Sequence, residues 1–180
     1  MNAAPDAAAR ARRLRLMAFD VDGVLTDGTL FYSDEGVEIK AFNTLDGHGL
    51  KMLQHAGIVV AIITGRKARC VELRAQNLGI DHLFQGVADK RAVLDGLLAE
   101  LGIAREEAGY MGDDIVDLPV MLACGFNATP GDGHPLVARH ALLATQRGGG
   151  RGAVREACEF ILEAQGKLAD AYAPYLAAPR

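Results

Sequence analysis

The 180-residue chain has no apolar run long enough to cross a bilayer. Its longest, Ile58 to Ile63, falls far short of the roughly 20 residues that a membrane helix needs. It has no CxxC pair. Cys70, Cys124 and Cys158 lie far apart in sequence, which predicts free thiols in packed positions. It has no long basic run, and its formal charge is −4, which argues against nucleic acid as the main partner. Met1 to Arg13 is rich in Ala and Arg but lacks the apolar core of a signal peptide, so a cytoplasmic location is expected and no membrane partner. No insertion is large enough for a second, substrate-covering domain, and no internal repeat is visible. What is present is a chain that is 50% hydrophobic and 23% charged, enough for one packed α/β domain.

Short apolar runs ending in polar or Gly-rich residues read as buried strands: Leu14 to Val21, Ile58 to Ile63, Ala108 to Met111, Gly125 to Ala128 and His140 to Thr145. Helical patterns lie between them. Val71, Ala75 and Leu78 share a face, as do Val93, Leu94, Leu97, Leu98 and Leu101, and a helix over about 153–164 would bury Val154, Ala157, Ile161 and Leu162. The expected fold is therefore a Rossmann-like, mostly parallel sheet flanked by helices. One segment breaks the alternation. Thr29 to Tyr32 and Val37 to Phe42 flank Ser33-Asp34-Glu35-Gly36, a β-hairpin (about 29–42) with Val37, Ile39 and Ala41 facing one way and Glu38 and Lys40 the other. Leaving directly after the first strand, it would sit above the carboxyl edge of the sheet, where such folds bind ligands. The expected organisation is an N-terminal extension over 1–13, a domain over 14–165 without a cap, and a flexible tail over 166–180.

Four segments carry chemistry. The first strand ends Phe19-Asp20-Val21-Asp22-Gly23-Val24-Leu25-Thr26-Asp27-Gly28. Two carboxylates delivered by an apolar strand are costly unless something uses them, although Asp and Gly also simply make turns. The second ends Ile63-Thr64-Gly65-Arg66, a hydroxyl and backbone amides that can hold a phosphate oxygen. Lys90 opens an amphipathic helix. Gly112-Asp113-Asp114-Ile115-Val116-Asp117 follows a short strand, where a helix N-terminus would also favour acids. If these converge, the carboxylates would repel one another and a phosphate. Lys90 and a hard divalent cation with oxygen ligands, such as magnesium, would relieve that conflict.

In this order the four segments resemble the four motifs of the haloacid dehalogenase superfamily of phosphatases, over about Leu14 to Gln165. The resemblance implies that Asp20 is a nucleophile forming an aspartyl-phosphate and that Asp22 is general acid, then general base. Thr64 would hydrogen-bond the transferred phosphoryl group, and Lys90 would neutralise charge. It implies Mg2+ as cofactor, held by the carboxylates of Asp20 and Asp113 and the backbone carbonyl of Asp22, with Asp114 and Asp117 orienting waters and Lys90. An aspartate at position 22 favours phosphate-ester chemistry over dehalogenation.

Within the superfamily, the hairpin and the segments Phe42 to Gly47, Gln85-Gly86, Gly112 to Val120 and Gly149 to Glu156 resemble the cap-less subclass that hydrolyses 3-deoxy-D-manno-octulosonate 8-phosphate. That likeness implies a small-molecule phosphorylated sugar acid as substrate and a step in lipopolysaccharide precursor synthesis. It also implies a homotetramer whose active sites are completed by neighbouring subunits. Substrate contacts would come from Asp22, Asn43, Thr44, Asp46, Gly47, Lys51, Arg66, Arg74 and Lys90; arginine suits a carboxylate because its planar fork bonds both oxygens. The stretch Gly148 to Gly152 is either a flap over the site or a flexible lead into the last helix. Two other readings stay open: a phosphatase for a nine-carbon sialic-acid-like 9-phosphate, and a non-catalytic assembly domain of the same fold.

Overall fold

The computed structural model describes residues 2–176. The chain runs β1 (Asn2–Ala3), α1 (Ala7–Ala11), β2 (Leu16–Phe19), β3 (Phe31–Tyr32), β4 (Glu38–Ile39), α2 (Thr44–His55), β5 (Val59–Ile63), α3 (Arg69–Leu78) and β6 (His82–Phe84). It continues through α4 (Lys90–Leu101), β7 (Ala108–Met111), α5 (Leu118–Met121), β8 (Phe126–Thr129), α6 (Pro135–His140), β9 (Leu143–Ala144), α7 (Ala153–Ala164) and α8 (Leu168–Leu176). Seven strands form one sheet in the order β1-β9-β8-β7-β2-β5-β6, parallel except for β1. Along β2, Met17 and Phe19 enter the core on one face while Leu16 and Ala18 enter it on the other. Burial on both sides explains why this strand reads as an unbroken apolar run. Phe19 is wholly buried, worth about 2–3 kcal/mol relative to exposure.

From β2 the chain winds to β5 and β6 on one side, then crosses back to β7, β8 and β9 on the other. The carboxyl ends of β2 and β7 thus flank the point where the winding reverses, which is where open α/β sheets bind ligands. The hairpin β3–β4 pairs Phe31 with Ile39 and Tyr32 with Glu38. Its alternation is as predicted, and its orientation is informative: Val37 and Ile39 are exposed, whereas Lys40 is buried.

Two boundaries differ from the sequence reading. Residues set aside as an N-terminal extension belong to the fold, because β1 adds an antiparallel edge to β9 and Ala7 and Ala11 are fully buried. Methyl-sized side chains one turn apart let α1 lie close against the core. The expected flexible tail over 166–180 instead holds α8. Leu168, Ala171 and Tyr172 pack on the core, and the Tyr172 hydroxyl donates to Glu159 at 2.6 Å. Residues 177–180 lie outside the described residues. Among the described residues, no helix is long and apolar enough to cross a membrane.

Candidate active site

Asp20 follows β2 directly and continues its pairing, its N–H donating to the Met111 carbonyl at 3.0 Å. Its Oδ1 accepts from the Val21 N–H at 2.7 Å, and its Oδ2 meets Lys90 Nζ at 2.8 Å. Lys90 begins α4 and reaches Asp117 Oδ1 at 2.6 Å. Asp117 is fully committed. Its Oδ1 also faces the Tyr110 hydroxyl at 3.4 Å, and its Oδ2 accepts the N–H groups of Asp113 at 3.1 Å and Asp114 at 3.4 Å. The buried Asp117 therefore orders the loop after β7 and anchors the lysine.

One carboxylate oxygen each of Asp20, Asp113 and Asp117 lies within 4.8 Å of the others. Burial, then the charges of Asp117, Asp20 and Asp114, pushes the Asp113 carboxyl up to about 7. Burial and Asp117 raise that of Asp20 too, against the opposing pull of Lys90. Burial works against charge on Lys90, but Asp20 and Asp117 outweigh it and hold its pKa above the ordinary lysine value. Three acids against one ammonium leave an excess of negative charge on oxygen donors alone. That donor set fits a hard divalent cation. Of the three, Asp117 carries the most donors, while Asp113 has no cationic partner among the described residues. Gly23 takes φ 86°, and a Cβ there would run into the Asp113 carboxylate. Only glycine lets the loops after β2 and β7 approach this closely.

Thr64 follows β5 and is buried. Its backbone is pinned by N–H donation to Phe84 and acceptance from Val87, and its Oγ1 faces the Arg66 N–H at 3.5 Å. Asp22 heads a network that sequence reasoning missed. Lys40 Nζ pairs with Asp22 Oδ1 and lies 2.6 Å from Glu38 Oε1. Arg66 donates to Glu38 Oε2 at 2.9 Å and to the Tyr32 hydroxyl at 2.6 Å, while its Nε stands 3.8 Å from Asp22 Oδ2. Burial opposes the Lys40 charge, but hydrogen bonds to Asp22 and Glu38 raise its pKa. The signal for Lys40 and Glu38 was their register, two residues apart on the hairpin that follows the first motif.

Most of the remaining predicted contacts gather at the start of α2; Lys51 lies two turns further along it. Asn43 caps that helix, its Oδ1 accepting from Leu45 at 2.8 Å, and its Nδ2 donates to the Gly150 carbonyl at 3.2 Å. Arg74 donates to the Asn43 carbonyl at 3.1 Å and to Asn77 Oδ1 at 3.1 Å, and lies 5.8 Å from the Phe42 ring centre. A Cβ on Gly47 would occupy the Arg74 guanidinium's place. Thr44 and Lys51 are exposed. Asp46 is only 1% exposed, and its carboxylate accepts the N–H groups of Gly152 at 3.1 Å and Arg155 at 2.8 Å. In the single chain it caps the start of α7. The crevice bounded by Asn43, Asp46, Gly47 and Arg74 holds about 10 Å³, no more than the space of one water. The glycine stretch before α7 is packed against the loop after β2. Gly150 donates to the Val24 carbonyl at 2.9 Å and Gly149 to Asp132 at 2.9 Å, and the Arg151 guanidinium reaches Asp27 at 3.1 Å.

No protein-family model matches the chain. Curated relatives do. The 3-deoxy-D-manno-octulosonate 8-phosphate phosphatase KdsC of Escherichia coli K12 is 48% identical over 166 residues, covering 92% of this chain and 88% of its own. Among solved structures, a probable YrbI-family phosphatase from Pseudomonas syringae superposes with a TM-score of 0.95 at 50% identity, over 98% of this chain and 100% of its own. The Moraxella catarrhalis 3-deoxy-D-manno-octulosonate 8-phosphate phosphatase, solved with magnesium, phosphate and KDO, gives 0.92 at 42% identity, over 94% of this chain and 98% of its own.

Proposed function

We propose a function from one premise: the chain belongs to the haloacid dehalogenase superfamily and, within it, to the family of 3-deoxy-D-manno-octulosonate 8-phosphate phosphatases. It hydrolyses 3-deoxy-D-manno-octulosonate 8-phosphate to the free sugar acid and phosphate. The observation that carries this reading is the meeting of Asp20, Lys90, Asp113 and Asp117 where the sheet reverses its winding.

An Asp20 carboxylate oxygen attacks phosphorus in line with the ester oxygen, and the bond to the sugar breaks as the aspartyl-phosphate forms. Its Oδ1 is held by the Val21 N–H, so the carboxylate cannot swing away from the site. Asp22 gives its proton to the departing sugar oxygen and then takes one from the attacking water. Lys90 balances charge at Asp20 throughout. Thr64 lies at the end of the neighbouring strand, β5, where its hydroxyl would hold a phosphoryl oxygen. Magnesium would be held by Asp20, Asp113 and the Asp22 carbonyl; when bound, it neutralises the phosphoryl oxygens and the clustered carboxylates. Thr44, Lys51, Arg66 and Arg74, with Asn43 and Gly47, are the groups proposed to meet the sugar acid.

The assembly is proposed to be a homotetramer in the cytoplasm, with each site completed by a neighbour. Support comes from the hairpin, where Phe31, Val37 and Ile39 are 50–60% exposed on one face, an apolar face that a lone soluble chain rarely presents.

The test is phosphate release by the purified protein with magnesium. It compares the octulosonate 8-phosphate with a sialic-acid 9-phosphate and common hexose phosphates, with EDTA and Asp20→Asn as controls. The reading expects preference for the first, lost in both controls. Opposite preference would keep the mechanism and replace the substrate, whereas full activity in Asp20→Asn would overturn the mechanism.

A further inference from the structure

We propose that Lys40 is a positioning residue for Asp22: it holds one carboxylate oxygen so that the other is presented to the ester oxygen and then to water. The proposal rests on the aspartyl-phosphate reading above. Lys40 arises from the end of the hairpin, and its side chain is 1% exposed. Its ammonium is clamped between Asp22 Oδ1 and Glu38 Oε1. Glu38 is fixed in turn by Arg66, and Arg66 by the Tyr32 hydroxyl. Asp22 Oδ2 is buried and has no hydrogen-bond partner among the described residues. That oxygen keeps its accepting capacity for a group that arrives with substrate.

A competitor makes the clamp necessary. Arg66 Nε stands 3.8 Å from Asp22 Oδ2, too far for a hydrogen bond but near enough to capture a carboxylate that turned freely. Lys40 keeps Asp22 from rotating into that pairing. In the first step the Asp20 oxygen bonds to phosphorus, the ester P–O bond breaks, and the Asp22 proton moves to the leaving sugar oxygen. In the second, water bonds to phosphorus, its proton moves to Asp22, and the P–O bond to Asp20 breaks. Both steps need Asp22 in one orientation.

Lys40→Met and Lys40→Gln test this with two kinds of ester. A sugar phosphate needs a proton for its departing alkoxide, whereas p-nitrophenolate leaves without one. For Lys40→Met, kcat/KM on the sugar phosphate should fall about 10- to 100-fold, less than the roughly 100- to 10,000-fold that acid–base catalysis supplies, because the acid is misaligned and not removed. On p-nitrophenyl phosphate, kcat/KM should stay within about threefold, since that ratio ends at loss of nitrophenol and needs no acid. Its kcat should fall and a burst of nitrophenol should appear, because hydrolysis of the aspartyl-phosphate still needs the base. Lys40→Gln retains an N–H for Asp22 and should recover part of the loss; it carries the comparison if the Met variant does not fold. Equal losses in kcat/KM on both esters, or no loss on the sugar phosphate, would overturn the proposal. If the wild type releases no phosphate, or Asp20→Asn still does, the underlying reading fails instead.

Discussion

Asp113→Asn should abolish activity and yet make the metal-free protein more stable. The Asp113 carboxyl is displaced from an ordinary 3.8 to about 7, chiefly by burial and then by Asp117, Asp20 and Asp114. Between about pH 4 and pH 7 the folded chain therefore holds a proton that the unfolded chain has released. In the absence of a cation, stability falls as pH rises through that window and stays reduced above it. About three pH units at about 1.4 kcal/mol each set a ceiling near 4 kcal/mol. The group is partly exposed and shares its cost with coupled acids, so about 2 kcal/mol is the working figure. In a domain of this size that corresponds to about 4–8 °C in Tm. Thermal melts of both proteins in EDTA, from about pH 5 to pH 8.5, measure it directly. The asparagine variant should melt higher at pH 8, and the difference should narrow as the pH falls toward 5. Magnesium should raise the wild-type Tm, more at pH 8 than at pH 5, and barely move the variant. Equal melting temperatures in EDTA at pH 8, or the same magnesium response in both, would refute the reasoning.

Three further outcomes follow from the contacts. Lys90→Met strands Asp20 and Asp117 without their shared cation; it should cost about 3–5 kcal/mol by denaturant melts and remove phosphatase activity. Asp46→Ala takes the acceptor from the Gly152 and Arg155 N–H groups and should cost about 1–2 kcal/mol with KM little changed. A raised KM at unaltered Tm would return Asp46 to the substrate site. Phe31→Glu combined with Ile39→Lys breaks the exposed apolar face of the hairpin and should leave folded monomers by light scattering, while an unchanged assembly would place the subunit contact elsewhere.

The sheet was legible in the sequence wherever a strand is buried on both faces, since Leu16–Phe19, Val59–Ile63 and Ala108–Met111 carry unbroken apolar runs. β1 and β6 were not, because an edge strand of two exposed or three half-buried residues leaves no such run. The amphipathic α7 was read over its full span because its buried residues recur at helical spacing. α8 was hidden behind an Ala- and Pro-rich composition, and its anchorage through Tyr172 and Lys167 to Glu159 and Ala56 joins elements far apart in sequence. At the site, charged residues at strand ends stood out as costly, and Asp20, Lys90, Asp113 and Asp117 do meet. Asp46 was expected at the substrate through the resemblance alone, and the fold sets its carboxylate on the N–H groups of Gly152 and Arg155. Only the fold distinguishes an acid that faces ligand from one that caps a distant helix.

The hairpin shows most clearly what such a pattern leaves open. Alternation along Val37 to Lys40 divides two faces but does not say which is covered, because period two fixes opposition and not direction. The fold turns the charged face inward, so Lys40 and Glu38 meet Asp22 and Arg66 while Val37 and Ile39 look outward. An ordinary surface hairpin would do the reverse, burying its apolar side against the sheet. The inversion makes one short ribbon serve two surfaces. Its inner face steadies the proposed general acid, and its outer face offers the apolar area on which subunits would meet. Lys40 and Ile39 are adjacent in sequence, so a shift of β4 at the outer contact moves the ammonium on Asp22 as well. On that geometry, variants that dissociate the assembly through Ile39 should lose turnover of sugar phosphates more than of aryl phosphates, even with every catalytic residue intact.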